Sequence, residues 1–141
     1  MGLYLCIFDD GGGGDNDTEG VEVGGYDDFL EFRQVVCDRL EGGTWGSRFP
    51  ILMNHSDSFG EWPPSACALL VDELRTIRSE LAALPAPAYP EGWQAEVARE
   101  VGHRATSYAD YFIDVDGEAL FDRLIDLAAL GAETGKAVTF M

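Results

Sequence analysis

Residues 21–41 read VEVGGYDDFLEFRQVVCDRLE, and a change of period inside this stretch decides the fold class. Val21 and Val23 flank Glu22 at the two-residue spacing of a strand, and Gly24-Gly25 end the run. From Tyr26 the period lengthens. Phe29, Phe32, Val36 and Leu40 recur at steps of three and four, while Asp27, Glu31, Gln34, Asp38 and Glu41 recur on the other side. The stretch is a brief strand feeding an amphipathic helix over 26–41. Asp27 and Asp28 suit the positive end of the helix dipole, and Gly42-Gly43 stop the helix. One face is built for a core; the other is almost purely acidic.

Upstream, LYLCIF (3–8) is a short continuous apolar run and reads as a buried strand. Between the two strands lies DDGGGGDNDTEG (9–20), read as a flexible acidic loop. Downstream, FPILMN (49–54) reads as a second buried strand with Pro50 near its entry, and HSDSFGEWPP (55–64) as a loop. Pro63 and Pro64 suit the first turn of a helix over 65–84, where Cys67, Leu70, Leu74, Ile77, Leu81 and Leu84 form an apolar stripe. PAPAYPEG (85–92) is a connector, residues 93–102 form a modest helix, and SYADYFI (107–113) is ambiguous. Asp116 is placed to cap a final helix over 117–130, and KAVTF (136–140) closes the chain as a strand. The sum is an α+β fold: about four helices packed on a small mixed β-sheet, in a single domain spanning 1–141. A compact α/β layering is the alternative.

Charge is the unusual quantity. The chain carries 26 Asp+Glu against 9 Lys+Arg, a net charge of −17, and Lys136 is its one lysine. Such a surface repels nucleic acid and anionic membranes and speeds encounters with basic partners. Solubility or adaptation to high salt is the bland account of the same number. Cys6, Cys37 and Cys67 sit far apart in apolar sequence with no CxxC spacing, which marks them as small buried hydrophobes of a reducing compartment. MGLYLCIFDD has no basic start and reaches acid at once, and no apolar run approaches a membrane span, so a soluble, cytoplasmic protein is expected.

Three constellations could carry chemistry. Asp15, Asp17, Glu19 and Gly20 match positions 1, 3, 5 and 6 of an EF-hand loop, which makes a weak Ca²⁺ or Mg²⁺ site and a Ca²⁺-regulated module an alternative function. The match fails where it should close: Tyr26 stands at position 12 in place of the bidentate Glu. DVDGE (114–118) is a second partial echo, better explained as a turn and helix cap. The four glycines lack the Lys and Ser/Thr of a phosphate loop. An uncharacterised hydrolase using His55 with Asp57, or a histidine paired with a cysteine, is the third reading. A negative field is a poor setting for a nucleophilic thiolate. None of these patterns requires a cofactor.

Surface chemistry remains. GGTWGSRFP (42–50) sets Trp45 and Arg48 three residues apart among glycines, and Trp62 follows Glu61 across the next segment. Trp and Arg are common interface anchors. The competing account folds Trp45 back on the core edge and pairs Arg48 with an internal acid.

The order of an opening strand and acidic loop, GGTWGSRFPILMNHSD, GEWPP, FIDVDGEALFDRL and a terminal GKAVTF resembles the immunity proteins of bacterial polymorphic toxin systems, the immunity protein 70 family in particular. The likeness runs through nearly the whole chain. It implies a small non-catalytic α+β protein that binds and neutralises a cognate toxin. Matching positions are Trp45, Gly46, Arg48, Phe49 and Pro50, then Asp57, Glu61 and Trp62, then Asp116-Gly117-Glu118. A nuclease toxin, whose cleft is basic to hold phosphate, is the partner such a charge suits. Candidate contacts are therefore Asp27, Glu31, Asp38 and Glu41 of the acidic helix face and the acidic loop 9–20 before it, with Trp45, Arg48, Asp57, Glu61 and Trp62.

Overall fold

The computed structural model describes residues 2–8, 17–56 and 59–141. Its strands are β1 (Gly2–Phe8), β2 (Asp17–Gly25), β3 (Glu61–Trp62) and β4 (Val138–Phe140), and its helices are α1 (Tyr26–Leu40), α2 (Pro50–Met53), α3 (Pro64–Leu81), α4 (Trp93–Val101), α5 (Tyr108–Tyr111) and α6 (Leu120–Thr134). The four strands form one sheet in the order β2-β1-β4-β3, antiparallel at every pairing. This is the expected α+β domain, with the four expected helices and two further single turns, but its sheet is antiparallel throughout where a mixed one was expected.

β1 is central because it is apolar throughout. Leu5 faces Val21 of β2 on one side and Phe140 of β4 on the other. Alternation sends Leu3, Leu5 and Ile7 to one side of the sheet, where they join Val21, Val23, Val138 and Phe140 in the core, all nearly inaccessible to water. α1, α3 and α6 cover this face. α3 and α6 share the largest helix–helix interface, and Gly131 allows their approach: a Cβ there would stand 3.1 Å from Cys67 Sγ and 2.9 Å from the Lys136 carbonyl oxygen. Phe32 of α1 reaches the same core, its ring centroid 5.0 Å from Phe121 and 5.1 Å from Phe112.

Both sheet edges are blunted. The Glu22 carbonyl on the outer edge of β2 accepts the Val115 N–H at 3.2 Å, and the Gly20 carbonyl accepts Arg123 Nη2 at 2.8 Å. At the other edge β3 is two residues long and runs into Pro63.

Four further expectations need correction. Residues 49–54 are no strand; they hold the single-turn helix α2, with Pro50 at its first position. A continuous apolar run fits a buried strand or a buried helical turn equally well. Trp62 lies in β3, inside the stretch expected to be a loop. The last helix begins at Leu120 behind Ala119, so Asp116 does not cap it. Finally, β2 starts at Asp17, so residues 17–20 of the expected loop pair with β1.

Candidate binding surface

The segment from Glu41 to His55 is held by side chains from two helices, α1 and α3. Glu41, at the C-terminal end of α1, turns inward and is only 6% exposed. Its carboxylate accepts the backbone N–H groups of Gly46, Arg48 and Phe49, each at 3.0 Å, which folds the glycine-rich loop around it. Gly46 takes a positive φ of 76° there, a conformation that favours glycine. α2 is then held at both ends. Glu73 of α3 accepts the N–H groups of Ile51 and Leu52 at 3.1 and 2.9 Å, capping the start. At the other end, Nη1 of the buried Arg33 donates to the carbonyls of Leu52, Met53 and His55, and Trp45 Nε1 donates to the Met53 carbonyl at 2.6 Å. A carboxylate at the N-terminus and a cation at the C-terminus also match the helix dipole. Burial raises the Glu73 pKa above its ordinary value, and the neighbouring Glu41 adds to this against the two amide donors.

The Trp45–Arg48 pair follows the bland account. Trp45 lies back on α2 with its ring 5.5 Å from the Arg33 guanidinium and remains 37% exposed. Arg48 grips Glu80 of α3 with both terminal nitrogens, at 2.9 and 2.6 Å, and also donates to the Leu40 carbonyl. The hydrogen bonding between Arg48 and Glu80 raises the Arg48 pKa and holds Glu80 below its ordinary value. Trp62 is buried, its Nε1 donating to the Ile51 carbonyl.

The candidate contacts therefore separate. Asp27, Glu31 and Asp38 stand exposed on α1, with the exposed Leu30 on their flank. Glu61 is exposed on β3, as are Trp45 and Arg48 in the loop before α2. Glu41 and Trp62 are buried and support the surface from beneath. Asp57 and Asp15 lie outside the described residues, as does the side chain of Asp17; Glu19 is exposed on β2. Among the described residues, no three His, Cys, Asp or Glu side chains converge to hold a metal ion.

The catalytic candidates are committed elsewhere. Both ring nitrogens of His55 face main-chain carbonyls, Nδ1 at Ser56 and Nε2 at Glu61, at 2.8 and 2.9 Å. The ring stacks on Phe140 at 4.1 Å between centroids. Burial pushes the Cys37 thiol up, helped by Asp38 and Glu41, and burial pushes Cys67 up as well; Cys6, Cys37 and Cys67 are all free and buried.

Three residues that organise the site were not singled out from sequence. Arg33 falls inside the apolar arc of α1, between Phe29 and Cys37, and a cation in that position signals a buried partner set. Glu73 carries no local signal, whereas Asp114 opens DVDGE, the stretch expected to form a turn. Asp114 is 1% exposed; its carboxylate accepts the N–H groups of Asp116 and Glu118 and meets Arg123 Nε at 3.2 Å. DVDGE is thus a turn wrapped around its own first carboxylate.

The fold defines a small α+β domain whose buried polar groups secure its own loops. The chain belongs to the immunity protein 70 family, whose model matches residues 3–140. No curated protein and no solved structure matches it. No helix among the described residues is long and apolar enough to cross a membrane.

Proposed function

We propose that this chain is a non-catalytic inhibitor that neutralises a cognate bacterial toxin in the cytoplasm by stoichiometric binding. Family membership over residues 3–140 is the observation that carries this reading. The net charge of −17 supports a partner with a basic surface, a nuclease above all, and disfavours nucleic acid or a membrane as the direct ligand. We assign the contact to the exposed acids Asp27, Glu31 and Asp38 with Leu30 beside them, extended by Trp45, Arg48, Asp57 and Glu61. An apolar side chain among charges is the usual composition of an interface that is steered by charge and closed by burial. Glu41 and Trp62 would act from below, by fixing the loops that carry the contact.

Coexpression with the toxin encoded beside it tests the reading. Growth rescue together with copurification of the two chains is expected. Failure of both overturns it.

A further inference from the structure

Away from α1, a cleft of about 350 Å³ opens between β2 and α6. Its floor is apolar: Val21 and Leu127 are 1% exposed, and Leu130 is half-buried beside them. Its rim carries Glu19 on the strand and Asp126 and Glu133 on the helix, all exposed. Asp126, Leu130 and Glu133 fall on one side of α6 by their four- and three-residue steps. Among the described residues lining the cleft, the one cation is Arg123, which is already engaged by Asp114, with Glu118 3.6 Å away, and by the Gly20 carbonyl. Among the described residues, no ion pair engages the three exposed rim carboxylates.

We propose that this cleft receives a lysine or arginine side chain of the basic partner protein, a proposal that rests on the toxin-binding reading and gives it a second point of contact. A basic side chain is the occupant that uses both halves of the cleft. Its alkyl stem lies along the apolar floor while its charged head reaches the carboxylates. A bare metal ion would use only the rim, and among the described residues no three acidic, His or Cys side chains stand close enough to bind one. Nucleic acid and anionic lipid are repelled by the same rim.

The test uses the peptide acetyl-tetraarginine amide, titrated into ¹⁵N-labelled full-length protein. Saturable shifts of the Glu19, Asp126, Leu130 and Glu133 amides are expected. Affinity should fall about tenfold in Glu19→Gln/Asp126→Asn/Glu133→Gln, since three solvated charge contacts are removed together. The same charge change on α1, Asp27→Asn/Glu31→Gln/Asp38→Asn, should leave these shifts in place. All six substitutions are at exposed positions, and circular dichroism of each variant is the check on folding. Equal loss in both variants, or shifts spread over the whole surface, overturns the proposal. So does Ca²⁺ or spermidine alone giving the same saturable shifts at lower concentration than the peptide. With the toxin itself, a cleft variant that binds and protects as well as wild type removes the cleft but leaves toxin binding standing. If wild type neither protects nor copurifies, the toxin-binding reading falls with it, and the cleft's role as a toxin contact is overturned.

Discussion

Arg123 of α6 lies with its Nε 3.2 Å from the carboxylate of Asp114, and Asp114 is almost wholly buried. The same guanidinium donates to the Gly20 carbonyl on the outer edge of β2, so one side chain joins the 114–118 turn, the last helix and the sheet edge. The carboxylate serves two clients: two turn amides at one oxygen and the cation at the other.

Substituting Asp114 separates those clients. Asp114→Ala removes both, leaving two partly buried amides without their acceptor and Arg123 without its buried carboxylate, so a loss of about 2 kcal/mol is expected in urea denaturation. Asp114→Asn keeps an oxygen for the amides and loses the charge facing Arg123; about half that loss is expected. Equal losses would show that the ion pair, and not the turn, carries the stability.

Two carboxylates that hold the 41–56 segment should differ sharply. Glu41 is buried and accepts three backbone N–H groups, whereas the Glu80–Arg48 pair has side chains 37% and 42% exposed. Glu41→Ala is expected to cost about 2–3 kcal/mol, because the three amides lose a charged acceptor away from water. Glu80→Ala should cost under about 1 kcal/mol, less still at high salt. Because Glu80 sits below its ordinary value in the fold, its small contribution is present above the unfolded-state pKa and disappears as pH falls through the folded one. Thermal melts of both variants at low and high salt check the contrast.

Glu73 gives the opposite pH dependence. Its folded-state pKa is raised, first by burial, above the ordinary value of 4.5. Between the unfolded and folded values the native state holds more protons, so stability falls as pH rises through that window. Glu73→Gln abolishes this slope. At neutral pH the variant keeps one acceptor for the two α2 amides, and a loss of about 1 kcal/mol is expected. Urea midpoints measured across pH 4 to 7 decide it; an unchanged slope in the variant would assign the dependence to another acid.

Glu73 also marks the limit of what local sequence carries. The heptad-like stripe of α3 and the three-four spacing of α1 were legible because burial on one side repeats within a single element. FPILM was not, because nothing within the run separates a strand from a helical turn. The choice falls to Glu73, 22 residues from Ile51, and to Arg33 on α1. β3 was illegible for a related reason: two residues become a strand only when β4 arrives from the end of the chain to pair with them. Asp27, Glu31 and Asp38 lie exposed on α1, where the three-four spacing puts them. At Glu41 the spacing misleads, since a residue at a helix end is free to turn inward toward the loop that follows.

That exposed face sets the kinetic prediction for the proposed function. Asp27, Glu31 and Asp38 lie within three turns of one another and have no basic neighbour at i±4 on α1, so their field projects into solvent. Asp27→Asn/Glu31→Gln/Asp38→Asn removes three charges without touching the core. Association with the toxin, followed by stopped flow at low ionic strength, should slow by about tenfold. The slope of log association rate against salt should flatten, while dissociation changes less, because steering acts before the surfaces meet. Glu41→Gln is the matched control: it removes one acid from the same helix but from a buried position, and any effect on association should come through loss of loop structure and not through long-range charge. If the triple variant associates at the wild-type rate and with the wild-type salt slope, charge steering through α1 is refuted, and the contact must be sought on another face of the molecule.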